Sequence, residues 1–246
     1  MRDWFVDLPK TANVNGGFQF SVQSERVDLS PSRYPLLLRF YREFLDHEDS
    51  ARFIRAVTLH YTSATLERLS VSCNRAVRRA AILALGLTAD YTANAVLGRA
   101  LNDQDRAVRL LAENGLKAVW RRQGSAAQRR QLDRVIWAIR SGDYTSAVAE
   151  AGSLLRAAPN IAEAWRQRGL AYFYQRRFRA ALGDFRQTLE LNPYHFAAAA
   201  AIGYCQCELN DPIAALESFR QALLINPGMD DVRVQVQGLQ RALDRG

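Results

Sequence analysis

Few side chains in this sequence are spaced for chemistry. His47, His60 and His195 are isolated, and His47, in LDHEDS, has no second ligand at i+4 with which to hold a metal on a helix face. Cys205 and Cys207 stand two apart, which on a helix puts them on different faces; that suits small packed side chains better than a metal or redox pair. No Gly-rich phosphate loop follows a strand, and there is no Gly-x-Ser-x-Gly elbow. The expectation is a chain that is not an enzyme and needs no cofactor or metal. What remains is charge. Lys117, Arg121, Arg122, Arg129, Arg130, Arg134 and Arg140 are faced over their span by a single acid, Asp133. Such a cluster either contacts phosphates and binds nucleic acid in a salt-dependent way or forms a solvated face. No base-reading glycine loop or aromatic platform accompanies it in the sequence. The net charge of +8 comes almost wholly from arginine, since Lys10 and Lys117 are the only lysines, so the arginines also fit a compositional bias.

The elements that carry these residues are helices, and they repeat. Shifting Ala162–Pro193, AEAWRQRGLAYFYQRRFRAALGDFRQTLELNP, by 34 residues superimposes Gly169 on Gly203, Ala181 on Ala215, Phe185 on Phe219 and Pro193 on Pro227. Self-similarity at that period predicts stacked helical hairpins. Trp165, Gly169, Tyr172, Ala181, Phe185 and Pro193 fall at the signature offsets of the tetratricopeptide repeat, which this unit resembles; Arg168 stands where the family has Leu, and Thr188 where it has a small Ala. The resemblance implies close approach of two helices at Gly169 and Ala181, aromatic filling by Trp165, Tyr172 and Phe185, and a stop at Pro193. A second unit, Phe196 to Met229, keeps Gly203, Ala215, Phe219, Ala222 and Pro227. An earlier one, Gln128 to Ile161, has Val135 in the Gly place but keeps Tyr144, Ala147 and Pro159 in register.

A different period precedes these. NRAVRRAAILALG at Asn74 and DRAVRLLAENGLK at Asp105 are 31 residues apart, with Leu66 matching Leu97. They resemble HEAT repeats, which implies that Asn74 and Asp105 cap second helices and that Arg78 and Arg109 bond to the neighbouring repeat. The expected architecture is all-α, an α-solenoid forming a right-handed superhelix, HEAT-like over residues 34–124 and tetratricopeptide-like over 125–246 with a C-terminal capping helix. Residues 1–33 read as an N-terminal arm: Phe18, Phe20 and Val22 alternate like a short strand, Trp4 and Phe5 need covering, and Ser30-Pro31 looks like a helix start. Gly124-Ser125 is the expected junction, with Ser125 as an N-cap, and so short a link implies continuous stacking.

At 246 residues, 48% apolar and 24% charged, the chain has globular composition. Three cysteines make no disulfide framework, no apolar run reaches membrane length, and the start, MRDWFVDLPKTANVNGG, is not a signal peptide, so a cytoplasmic protein is expected. The tetratricopeptide resemblance implies a concave groove formed by first helices, here with Ile136, Arg140, Arg166, Leu170, Phe173, Tyr174, Tyr204 and Glu208, suited to a peptide or helix of a protein partner. The places of that family's carboxylate clamp hold Leu132, Ile136, Gln167, Ala197 and Ala201, which argues against a chaperone-tail receptor. The functional expectation is therefore a non-catalytic protein-binding scaffold. The alternatives are a nucleic-acid-binding solenoid using the basic junction and, through the HEAT resemblance, a lyase-type enzyme or its accessory protein.

Overall fold

The computed structural model describes residues 35–245, so the expected N-terminal arm lies outside the described residues. Among the described residues there are 13 α-helices and no strand. They fall in two compact units divided after His60.

The first unit contributes α1 (Leu36–His47) and α2 (Ser50–His60). A left-handed Glu48 (φ 52°) turns the chain between them. Phe44 and Phe53 close this hairpin with ring centroids 5.4 Å apart.

The second unit begins with two helix pairs, α3 (Ser63–Leu69) with α4 (Arg75–Thr88) and α5 (Asn94–Ala100) with α6 (Arg106–Arg121). The 31-residue period is visible in their hydrogen bonds. Asn74 Oδ1 accepts the amides of Ala76 and Val77, and Asp105 Oδ1 those of Ala107 and Val108, so each second helix starts with a side chain satisfying orphan donors. Arg78 Nη1 donates to the carbonyls of Ser72 and Cys73, and Arg109 Nη1 repeats this at Asp103 and Gln104. Arg78 also forks onto Asp103 at 2.8 and 3.0 Å, locking one pair to the next. α4 and α6 meet at glycines: a Cβ on Gly86 would lie 2.8 Å from the Gly115 Cα.

Three hairpins follow: α7 (Ala126–Arg140) with α8 (Tyr144–Ala157), α9 (Ala162–Tyr174) with α10 (Phe178–Leu191), and α11 (Phe196–Glu208) with α12 (Pro212–Ile225). α13 (Asp230–Leu243) closes the stack. Ser125 caps α7 in a reciprocal capping box with Gln128. The hairpin turns place Gly142 (φ 81°), Arg176 (φ 60°) and Asn210 (φ 58°) in the left-handed region, each 34 residues after the last. The expected close approach is real but is filled by one ring per hairpin. A Cβ on Gly169 would fall 2.8 Å from the Phe185 ring, and one on Gly203 2.6 Å from the Phe219 ring. Trp165 and Tyr172, expected to share this role, are only half-buried. Arg168 explains the departure at the Leu position: it forks onto Asp184 at 2.7 and 2.8 Å and lies 4.7 Å over the Trp165 ring.

Phe185, 1% exposed, is the ring the second hairpin is built around. Phe185→Ala should cost about 3–5 kcal/mol in urea denaturation, and a loss under about 1 kcal/mol would remove this assignment of the core.

Candidate functional site

The helix pairs do not continue the hairpin stack end to end. α6 packs on α4 and α5 and then reaches across to α9, so that α5 and α6 run along the turns that join one hairpin to the next. Gln123 Nε2 donates to the Asn160 carbonyl in the first of these turns. At the second, Asn94 Nδ2 donates to Asn192 Oδ1 at 2.9 Å while Trp120 Nε1 donates to Asn94 Oδ1 at 2.8 Å. The third receives Glu113, whose carboxylate accepts from Asn226 Nδ2 at 3.0 Å. Asn192 and Asn226 are 34 residues apart, so the α5–α6 pair reads the same repeat position twice, once from each helix. Tyr194 seats on Gly98, where a Cβ would fall 2.3 Å from ring carbons. The expected continuous stacking across Gly124-Ser125 is therefore replaced by docking across the turns. A short linker fixes proximity but not direction.

At the centre of this seam the Trp120 and His195 rings stack at 3.8 Å, with Phe196 tilted against Trp120. His195 Nδ1 accepts the Ala198 amide, which leaves the proton on Nε2 to donate to Glu163 Oε2 at 3.0 Å. Glu163 also accepts from Arg166 Nη2 and Gln167 Nε2, both at 2.7 Å. Burial would raise the Glu163 carboxyl, but the charge of Arg166 and the hydrogen bonds from His195 and Arg166 outweigh it and hold it well below the usual carboxylate range. Burial lowers His195, and the Glu163 contact only partly opposes this. The polar atoms of His195, Glu163, Arg166 and Gln167 named here are thus bonded to one another or to the backbone, which locks this cluster in place.

The candidate groove residues fall into rows set by the repeat. Ile136, Leu170 and Tyr204 form one row and Arg140, Tyr174 and Glu208 the next, each at 34-residue intervals. The inner row is closed further than expected: Leu170 is 2% exposed, and Tyr204 packs edge-on against Phe219 at 4.9 Å among Met229, Val236 and Leu239. Burial pushes the Tyr204 hydroxyl up to about 12. Arg166 is occupied by Glu163. The outer row is more open. Arg140 is exposed, Tyr174 stacks on Tyr144 at 4.9 Å and is half-buried, Phe173 lies edge-on to Phe178 at 5.3 Å, and Glu208 pairs with Arg176 at 3.7 Å. Burial first and the nearby Tyr144 second push Tyr174 up to about 12.

Most of the basic cluster is already committed. Lys117 pairs with Glu113, Arg121 with Asp133 at 2.7 Å and Arg134 with Glu150 at 3.2 Å. Arg122 is seated on the Gly86 and Leu87 carbonyls. Arg129 bonds to the Arg122 carbonyl, leaving Arg130 and Arg140 without an acidic partner among the described residues. The sequence reading missed one neighbour: Trp137, on α7 beside these arginines, is 70% exposed. Cys205 is buried, its thiol pushed up to about 12 by burial, and Cys207 is half-buried. The described residues contain no grouping that could hold a metal ion and no helix long and apolar enough to cross a membrane.

Residues 162–195 match the tetratricopeptide repeat family. The matched segment is α9, α10 and the turn into α11. Similar solved structures include the first tetratricopeptide domain of Spaghetti (RPAP3), bound to an HSP90 peptide, at 19% identity over 49% of this chain and 96% of that one, with a TM-score of 0.47. The TPR2B domain of yeast Sti1 aligns at 16% identity over 48% of this chain and 99% of its own, with a TM-score of 0.45. YrrB, a tetratricopeptide protein with an unusual peptide-binding site, aligns at 16% over 82% and 97%, with a TM-score of 0.41.

The seam carries a pH signature. His195 is held neutral in the fold, so below about pH 6.5 the unfolded chain binds the extra proton and stability falls as pH drops through that value. The Glu163 contribution is present above the unfolded carboxyl value and is lost only as pH falls below about 4.3. The thermal midpoint should therefore drop between about pH 7.5 and 5.5, and His195→Gln, less stable throughout, should show a flatter slope there. An unchanged slope would mean His195 is not buried neutral.

Proposed function

We propose that this protein is a non-catalytic scaffold that holds a peptide or helix of another protein against the first helices of its tetratricopeptide hairpins. The supporting observation is the in-register stack, which lines up same-position side chains: Ile136 at the inner row, then Arg140, Tyr174 and Glu208 with Phe173 beside them. A row that is cationic, aromatic and acidic in turn suits a mixed polar and apolar segment, with rings as anchors. The Spaghetti domain binds an HSP90 peptide. Here Leu132, Gln167 and Ala201 occupy clamp places and are buried, so the partner is of another kind. We assign α3–α6 to HEAT-like repeats whose task is to brace the stack. Nucleic acid is the weaker reading, because most of the arginine cluster is spent on carboxylates and carbonyls within the fold.

Affinity capture with quantitative mass spectrometry tests this. Arg140→Glu with Phe173→Ala should lower recovery of a specific partner about tenfold or more while the helical circular dichroism is kept. Equal recovery by wild type and variant would contradict the proposal. Tight, salt-sensitive oligonucleotide binding removed by Arg129→Glu with Arg130→Glu would put nucleic acid in its place.

A further inference from the structure

Among the described residues of the second unit, no second helix lies on α7 in the place that α8, α10 and α12 take on α9, α11 and α13. In every later first helix, two positions are turned toward the second helix of the preceding hairpin. The first of these is Ala164, Ala198 or Val232, each 0% exposed. The second is Ala171 or Cys205, also 0% exposed, and the half-buried Leu239. α9 lies on α8, α11 on α10 and α13 on α12 in this way. Counting back 34 residues, the same two positions in α7 are Arg130 and Trp137. Arg130 is exposed and Trp137 is 70% exposed, because α6 has turned away along the inter-hairpin turns.

We propose that this face of α7 is a second docking surface, separate from the groove, that accepts an acidic amphipathic helix of a partner protein in the place a preceding second helix would take. The geometry specifies a helix because the same slot holds one at each of the three later positions. Charge specifies its chemistry. Arg129, Arg130 and Arg134 share α7 with Trp137, and the nearby acids Asp133 and Glu150 are paired with Arg121 and Arg134. An apolar stripe on the incoming helix covers the indole, and Glu or Asp at its margins meet Arg130. Tryptophan together with arginine is also the composition of an interface anchor. A second copy of this chain, pairing α7 to α7, would bring like charges together.

The test uses the full chain as bait for a display library of helical peptides about 15 residues long, randomised on the surface, with the Trp137→Ala chain as counter-bait. Enriched peptides should carry an apolar stripe flanked by Glu or Asp. They should bind about tenfold or more weaker to Trp137→Ala and to Arg130→Glu, with Phe173→Ala leaving them unaffected. Failure of the groove reading would appear only in the Phe173 variant, so the two proposals fail separately. Both face variants should keep the wild-type thermal midpoint, since the residues are exposed. No enrichment over the counter-bait, or binding indifferent to both substitutions, overturns the proposal. So does a Trp137-dependent complex with oligo(dT), which would assign the face to single-stranded nucleic acid, or a dimer by sedimentation that Trp137→Ala dissolves. Acrylamide quenching closes the last alternative: a Trp137 contribution, taken as wild type minus Trp137→Phe, that is shielded in the free protein means the chain covers this face itself.

Discussion

The stack of Trp120 on His195 joins two kinds of repeat into one body. Repeat arrays are held by nearest-neighbour contacts, so each hairpin ordinarily supports only the next. Here α5 and α6, with Gln123 just beyond α6, lie across several hairpins and touch their turns at Asn160, at Asn192 and His195, and at Asn226. Buried polar groups make this contact exacting. Asn94 has a donor and an acceptor matched by Asn192 and Trp120, and His195 has one nitrogen on a backbone amide and the other on Glu163. A shift of α6 by one residue would leave several of these groups buried and unpaired, at a cost of about 1–3 kcal/mol each. The seam therefore fixes position more than it adds attraction.

That docking explains the functional geometry. By crossing the turns at the N-terminal ends of α9 and α11, the helix pairs leave the outer groove row of Arg140, Tyr174 and Glu208 at the opposite ends of the first helices. Among the described residues of the second unit it also leaves α7 without a preceding second helix, and Arg130 and Trp137 are exposed where the later units have alanine, valine or cysteine inside. A single change in chain direction at Gly124, whose φ of 85° is in the left-handed region, thus sets which faces are open.

Local structure was legible in the sequence because periodicity and capping are local physics. Asn74, Asp105 and Ser125 cap the helices expected of them, and Gly169 and Gly203 receive rings as their spacing implies. The direction of α6 was not legible. It rests on contacts between residues about a hundred apart, such as Glu113 with Asn226, and no periodicity reports those. Trp137 carried a signal that went unread: a large aromatic at a repeat position that holds Ala171 and Cys205 in the next units. Tyr204 misled for the complementary reason. Its row belongs to the groove, but with α13 packed alongside, the third hairpin uses the ring as core.

Native-state hydrogen exchange, followed for α6 and α11 across a denaturant series, tests the interlock most directly. The account predicts that amides of both helices open in one cooperative event with a common free energy, and that Asn94→Ala lowers both together. Exchange of α11 at a free energy independent of α6, and unmoved by Asn94→Ala, would show that the hairpin stack stands without the helix pairs and would contradict the central claim.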